Sequence, residues 1–149
     1  MRVRHGWAIG ALIAAGLLLP SCTRSSGETA TVREPATVEA VEGSDVSRIT
    51  LSADAAKRLG VETSPVREAP TGSGDADLVV PYAAVVYDAA GRTWVYANPD
   101  PLVFVRAEIR VDRIEGQDAF LSGGPPSGTQ VVTVGAAELY GTEYGVGQE

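Results

Sequence analysis

The sequence predicts a small, mainly β fold: an antiparallel roll or open barrel of short strands with one or two short helices. Three observations support this prediction. Apolar and charged residues alternate along 105–112, which is typical of a half-buried strand. Several shorter runs of β-branched and aromatic residues are separated by turn residues. The 149-residue chain also contains 17 glycines and 9 prolines, which favour many turns over long helices.

The chain begins with a predicted export signal, residues 1–21. Basic residues precede an uncharged apolar run, 6–19, that is shorter than the ~20 residues a membrane-spanning helix needs. The run ends in Leu19-Pro20-Ser21-Cys22, which resembles a bacterial lipobox. This resemblance implies that Cys22 becomes the lipid-carrying first residue of the mature chain. There are two alternatives. The export signal is cleaved in the ordinary way and Cys22 keeps a free thiol, or the signal is not cleaved and anchors the chain in the membrane.

Residues 22–45 are predicted to be a disordered tether, because they contain almost no large apolar side chains that could form a core. The β-rich domain is expected over 46–145, and 146–149 are expected to be a tail. One domain of roughly 100 residues can fold alone, although with a thin core. The single cysteine cannot form a disulfide within the chain.

The domain is expected to open with a short strand over 46–51 and a compact helix over 52–60. Ser52 suits the N-cap, basic residues occupy the last turn, and Gly60 supplies the C-terminal stop. A second short helix is predicted over 135–141.

Further strands are predicted over 61–66, 78–81, 83–87, 93–97, 102–112, 119–121 and 130–134. Pro65 favours an edge position for the first of these strands. Residues 69–77 are predicted to be a flexible loop, and turns are predicted at 88–92, 98–101 and 122–128.

The alternating strand has two chemically different faces. One face carries Val105, Ala107, Ile109 and Val111, and the other carries Arg106, Glu108, Arg110 and Asp112. The apolar face is predicted to point into the interior. The charged face alternates in sign, so it is either a solvated surface that compensates its own charge or a docking surface.

Trp94 and Tyr96 share one face of another predicted strand. Large aromatic side chains supply much of the buried area of a small β domain, so both are candidates for the core. The other interpretation is an exposed platform that binds a sugar or a hydrophobic ligand.

Composition argues against several kinds of chemistry. The one histidine, His5, leaves with the export signal, so a Ser-His-Asp or Cys-His catalytic set is not expected. The mature chain has neither histidine nor methionine, so a transition-metal site lacks its usual ligands. The net charge of −7 disfavours nucleic acid as a partner. We therefore expect no enzyme activity, no bound metal and no cofactor.

The order of motifs in the C-terminal half resembles the membrane-proximal domain of periplasmic adaptor (membrane-fusion) proteins of resistance-nodulation-division (RND) efflux pumps. The matching residues are Phe104, Arg106, Val111, Ser122, Gly123, Gly128, Val131, Val132 and Gly135. Residues 51–63 also resemble the family segment that precedes the lipoyl-like and hairpin domains. Because only the loop 69–77 follows, the resemblance implies a truncated or minimal adaptor.

The resemblance implies a function in binding rather than catalysis. It implies a lipid-anchored extracytoplasmic accessory protein, in the periplasm or at the cell surface, that binds or positions an RND transporter, alone or beside a full-length adaptor. The contact residues it implies are Arg106, Arg110, Gly123, Gly124 and Gly128. The alternative is a surface-tethered ligand-binding module unrelated to pumps, which would use Trp94 and Tyr96.

Overall fold

The structure, a computed structural model, describes residues 34–70 and 76–146. These residues form a mainly antiparallel sheet curled into a half-barrel, with two short helices, so the predicted fold class is confirmed. The strands are β1 (Ala36–Ala40), β2 (Ser47–Leu51), β3 (Glu62–Pro65), β4 (Arg67–Pro70), β5 (Ala76–Pro81), β6 (Val86–Tyr87), β7 (Thr93–Asp100), β8 (Val103–Glu115), β9 (Asp118–Gly123) and β10 (Gln130–Val134). The helices are α1 (Ala53–Leu59) and α2 (Ala136–Glu143), and a 3-10 turn covers Tyr82–Ala84.

The long strand β8 connects the two parts of the sheet. The strand order is β3-β10-β7-β8-β9-β5-β4, and β2 pairs with β8, β1 with β2 and β6 with β7. The first half of β8 pairs with β7 and β2, whereas its second half pairs with β9. Strand β3 pairs with β10 at the end of this order, so the predicted edge position is confirmed.

Local sequence signals account for α1. The Ser52 hydroxyl accepts a hydrogen bond from the Ala55 amide at 3.1 Å, as expected of an N-cap. Gly60 adopts a left-handed conformation with φ 62° and ends the helix. The predicted helix is therefore confirmed at both ends. Neither described helix is long and apolar enough to cross a membrane.

Two hydrophobic clusters lie on opposite faces of the central strands. The helix-side core consists of Ile49, Leu51, Ala55, Tyr96, Phe104, Val132, Ala136 and Leu139. The strand-side core consists of Val66, Val80, Ala84, Val95, Ile109, Ala119, Leu121 and Val131. Neighbouring residues on β7, Val95 and Tyr96, belong to different clusters, as do Val131 and Val132 on β10. This part of the sheet is therefore covered on both faces.

Coverage on both faces corrects the interpretation of β8. Ile109 is buried in the strand-side core, and Ala107 and Val111 pack against it, whereas Val105 is only half-buried. The opposite face was predicted to be polar and exposed, but Arg106 on that face is buried. Alternation of residue types indicated which side chains share a face, but it did not indicate that α2 covers Arg106 while Glu108, Arg110 and Asp112 on the same face stay exposed.

The predicted tether is wrong in its last part. Residues 36–40 form β1, which pairs with β2 from Ala36 opposite Leu51 to Ala40 opposite Ser47. A short outer strand is held by backbone hydrogen bonds and needs few buried side chains, so a polar composition does not exclude it. The export signal, Cys22 and the tether up to residue 33 lie outside the described residues.

Three predicted boundaries in the middle of the chain are also wrong. Strands β4 and β5 form a hairpin, and the first and last residues of the predicted loop 69–77 belong to these strands. Residues 71–75 of that loop lie outside the described part. The predicted strand 83–87 begins instead as the 3-10 turn. Strand β7 continues to Asp100 through an irregularity after Ala97, where a turn was predicted. Proline and glycine mark chain reversals well, but they do not show where pairing begins.

Candidate functional site

Arg106 is the most buried charged residue among those described. Its side chain is 1% exposed, because α2 lies over this face of β8 and places Glu143 beside it; the Glu143 side chain is 3% exposed. The prediction that Arg106 contacts a transporter directly is therefore wrong. The residue instead holds the end of α2 against the sheet.

Arg106 and Glu143 form a two-pronged ion pair. Arg106 Nε donates to Glu143 Oε2 at 3.0 Å and to Oε1 at 3.3 Å, and Nη2 donates to Oε1 at 3.2 Å. Nη2 also donates to the Asp45 carbonyl oxygen at 3.3 Å. Burial alone would lower the pKa of Arg106, but the hydrogen bonds and charge of Glu143 raise it. Arg106 therefore stays charged.

Two further donors complete the surroundings of the Glu143 carboxylate. The Tyr96 hydroxyl donates to Oε2 at 2.5 Å, and the Ser47 amide donates to Oε1 at 3.1 Å. Burial, followed by the hydrogen bond and charge of Glu143, raises the pKa of Tyr96 well above its ordinary value. Tyr96 is therefore a permanent donor. Three segments, β2, β7 and β8, converge in this way on the last residue of α2.

An aromatic ring covers the guanidinium group of Arg106. Its Cζ lies 4.1 Å from the centroid of Trp94, and the rings of Tyr144 and Tyr140 lie farther away at 5.6 and 6.0 Å. Arg106 Nη1 is buried without a hydrogen-bond partner in the described part of the chain. Stacking of a cation on an indole stabilises the charge and offsets part of the cost of this unpaired donor.

Trp94 and Tyr96 belong to the interior. Trp94 is 5% exposed and Tyr96 is fully buried, so the prediction of an exposed ligand face is wrong and the core interpretation is correct. Trp94 Nε1 donates to Asp88 Oδ2 at 3.1 Å, which ties the ring to the β6–β7 turn. Both rings are committed to packing and to hydrogen bonds within the domain.

Of the remaining predicted contact residues, Gly123 and Gly124 lie next to Arg110, whereas Gly128 contacts Val66 instead. Arg110 on β8 pairs with Gly123 on β9, and a Cβ placed on Gly123 would lie 3.8 Å from Arg110 Cδ. A Cβ on Gly124 would lie 3.0 Å from Ile109 Cγ2, so the turn sits close against β8. Gly128 has φ 88°, and its amide donates to the Val66 carbonyl oxygen at 2.9 Å.

This surface has a defined shape. Arg110 and Gly124 are exposed, and they line a shallow depression of about 210 Å³ together with Glu108, Ile109 and Gly123. We call the group formed by Arg110, Gly123 and Gly124 the glycine-turn surface. Its role as a contact surface stays a prediction.

The described residues contain no group of three or more His, Cys, Asp or Glu side chains placed to hold a metal ion. The carboxylate of Glu143 already accepts hydrogen bonds from Arg106, Tyr96 and Ser47. A saturated, buried carboxylate of this kind is suited to holding structure rather than to transferring protons.

Sequence reasoning missed Glu143, Tyr140 and Tyr144. The available signal was the position of Glu143 as the last residue of α2, where the helix dipole disfavours a negative charge. An acidic residue at that position indicates a cationic partner elsewhere in the fold. The sequence separation of 37 residues gave no indication that the partner is Arg106.

Comparisons with known proteins give one structural likeness. No protein-family model and no curated protein matches the chain. Among solved structures, the chain is similar to an NMR structure that contains the N-terminal metal-binding site and the membrane-proximal domain of SilB from Cupriavidus metallidurans CH34, with 25% sequence identity and a TM-score of 0.44. The match covers 60% of this chain and 51%, about half, of the SilB chain. A TM-score below 0.5 does not establish a family.

Proposed function

We propose that this chain is a lipid-anchored extracytoplasmic accessory protein that binds and positions a membrane transporter of the RND class. It acts by binding and catalyses no reaction. Two features support the proposal: the sequence motifs that resemble the membrane-proximal domain of efflux adaptors, and a mainly β fold of the kind those motifs imply. A full-length adaptor is a further partner under this proposal, because the chain has only the short hairpin of β4 and β5 where adaptors carry their lipoyl-like and hairpin domains.

The glycine-turn surface is the observation that carries the proposal. Arg110 is exposed and lies directly beside Gly123, so a guanidinium group borders a stretch of backbone without side chains. Guanidinium groups bind carboxylates with two parallel hydrogen bonds. A glycine turn lets the backbone of a partner approach closely. This combination suits a docking contact with an acidic segment of a transporter.

The alternative of a ligand-binding module based on Trp94 and Tyr96 loses its basis, because both rings are buried.

The buried Arg106 has a different part in the proposal. It fixes α2 and the strands around it, and so keeps the sheet that presents Arg110 in one conformation.

Co-purification from native membranes tests the transporter contact. Membranes are solubilised in mild detergent, and the tagged chain is captured as wild type, as Arg110→Ala and as Arg48→Ala. Arg48 is an exposed arginine on β2 and serves as the matched control. We expect wild type and Arg48→Ala to retain an RND transporter subunit and Arg110→Ala to lose most of it. Equal recovery with all three proteins, or recovery with none, contradicts the proposal.

The anchor is tested separately with Cys22→Ser. We expect the wild-type protein to partition into the detergent phase and to carry an acyl group that mass spectrometry detects. The variant is expected to accumulate as precursor or to be released into the aqueous phase. Equal membrane retention of the two forms, without an acyl group on the wild-type protein, removes the lipid anchor but leaves the transporter contact open to its own test.

A further inference from the structure

A cavity of about 470 Å³ lies beside α1. It is formed where the start of β1, the helix α1 and the end of α2 meet. Its lining residues are Glu34, Pro35, Ala36, Leu51, Ala55, Arg58, Leu59, Thr142 and Val146. The volume falls within the range of about 300–1,000 Å³ that is usual for small-molecule sites.

The wall of this cavity is largely apolar. Leu51 and Ala55 are buried members of the helix-side core, and Ala36 and Leu59 pack against that core. Val146, at the border of the cavity, is 74% exposed. Filling the cavity with a hydrocarbon chain would remove part of this apolar area from water, which is favourable by about 25 cal/mol per Å².

The polar part of the lining carries one charge of each sign. Arg58 and Glu34 are both exposed, and neither takes part in an ion pair within residues 34–70 and 76–146. A cation and an anion at the border of one apolar cavity complement a head group that carries both charges. The net charge of −7 of the whole chain repels a purely anionic head group.

We propose that this cavity binds a single-chain zwitterionic phospholipid. The hydrocarbon chain lies against Leu51, Ala55 and Leu59, the phosphate faces Arg58, and the ammonium group faces Glu34. The site is separate from the glycine-turn surface, so lipid binding and transporter binding can succeed or fail independently.

Binding is measured by titration calorimetry on the full chain carrying Cys22→Ser, so that no lipid on the protein competes for the cavity. The probe is dodecylphosphocholine below its critical micelle concentration. Dodecyl maltoside and dodecanoate, which have the same chain length with a neutral and an anionic head group, are the comparison ligands. We expect saturable binding of one dodecylphosphocholine, about two- to fivefold tighter than either comparison ligand, since an exposed ion pair contributes about 0.2–1 kcal/mol.

Four variants locate the site. Arg58→Ala and Glu34→Ala are each expected to reduce the preference for dodecylphosphocholine over dodecyl maltoside, because each removes one of the two head-group contacts. Lys57→Ala removes a neighbouring exposed cation that does not line the cavity, and it is expected to leave binding unchanged. Ala55→Leu places a larger side chain in the cavity and is expected to lower the affinity for all three ligands. Circular dichroism checks that this variant is folded.

Several results would overturn the proposal. Equal affinity for dodecylphosphocholine and dodecyl maltoside would show that the two charges do not recognise the head group. Tighter binding of dodecanoate would show that the head group is wrongly assigned. Unchanged binding by a folded Ala55→Leu protein would show that the ligand lies elsewhere. Arg110→Ala serves as the separate control for the transporter contact and is expected to bind the lipid as the unsubstituted protein does.

Discussion

At the scale of single residues, the pairing of Arg106 with Glu143 determines how the last helix is held. Both charges are almost completely removed from water, and each depends on the other for compensation. A buried pair of this kind contributes little net stability compared with a well-packed apolar pair, but the loss of one partner is costly. The pair therefore specifies where α2 docks more than it stabilises the fold.

This reasoning predicts the behaviour of single and double substitutions. Glu143→Ala leaves Arg106 buried and unpaired, and we expect it to lower the free energy of unfolding by about 3–5 kcal/mol. The double variant Arg106→Met/Glu143→Leu removes both charges, and we expect it to recover most of that loss. Urea denaturation of the wild-type protein and of both variants measures the effect. A double variant that is less stable than Glu143→Ala would contradict this interpretation.

Asp88 provides a residue-scale prediction of pH dependence. Its carboxylate accepts hydrogen bonds from the amides of Ala90 and Arg92, from Arg92 Nε and from Trp94 Nε1. Burial alone would raise the pKa of Asp88, but these hydrogen bonds outweigh it and lower the pKa from 3.8 to about 2. Because the pKa is lower in the folded protein, the stability that Asp88 contributes is complete above about pH 4 and is lost as the pH falls towards 2.

Denaturation measured between pH 7 and pH 2 checks this prediction. We expect Asp88→Asn to be less stable than wild type at neutral pH and to lose less stability between pH 4 and pH 2. Other carboxylates titrate in the same range, so the difference between the two proteins is the informative quantity. Parallel curves for the two proteins would show that the turn does not depend on the charge of Asp88.

At the scale of elements, the start of α2 depends on a conformation that favours glycine. Gly135 precedes the helix with φ 93°, and a Cβ at this position would lie 3.2 Å from Val61 Cγ2. Gly141, within α2, has no positive φ, and its Cβ would make an ordinary contact at 3.8 Å with Val146. The backbone conformation at Gly135 therefore favours glycine, whereas the helical conformation at Gly141 is compatible with alanine.

Alanine substitution at both glycines tests this difference. We expect Gly135→Ala to destabilise the protein by about 1 kcal/mol or more, because an L-residue is strained at this φ. Gly141→Ala is expected to be neutral or to stabilise by up to about 1 kcal/mol, because alanine is the better helix former. Thermal denaturation of the two variants measures both effects. The same sign of change at both positions would show that backbone conformation does not decide the outcome.

The elements also show what the sequence could predict. Helix α1 was predicted correctly at both ends because Ser52 and Gly60 act on atoms within a few residues of themselves. Strand β1 was missed because its stability comes from pairing with β2 rather than from its own composition. Burial of Arg106 was missed because it depends on Glu143, which reaches it only after the chain has formed β9, β10 and α2. Local chemistry was predictable, whereas contacts made by chain topology were not.

At the scale of the whole molecule, the described part of the chain has two cores that share one set of strands. Strands β7 and β10 each contribute neighbouring residues to both cores, such as Val95 and Tyr96 on β7. Loss of packing on one face therefore weakens the strands on which the other face depends. Since the cores have their central strands in common, we infer that this part of the chain unfolds as one cooperative unit.

Matched substitutions in the two cores test this cooperativity. Leu139 lies in the helix-side core and Leu121 in the strand-side core, and both are almost completely buried. We expect Leu139→Ala and Leu121→Ala each to lower the free energy of unfolding by about 2–5 kcal/mol. Trp7 lies in the predicted export signal, so fluorescence of the chain without residues 1–21 reports on Trp94, on the helix side of the sheet. This fluorescence and far-ultraviolet circular dichroism should then give coincident transitions in both variants. If the two cores unfold together, loss of packing in either core should shift the fluorescence transition of Trp94. A transition that shifts in Leu139→Ala but not in Leu121→Ala would therefore show that the two cores unfold separately.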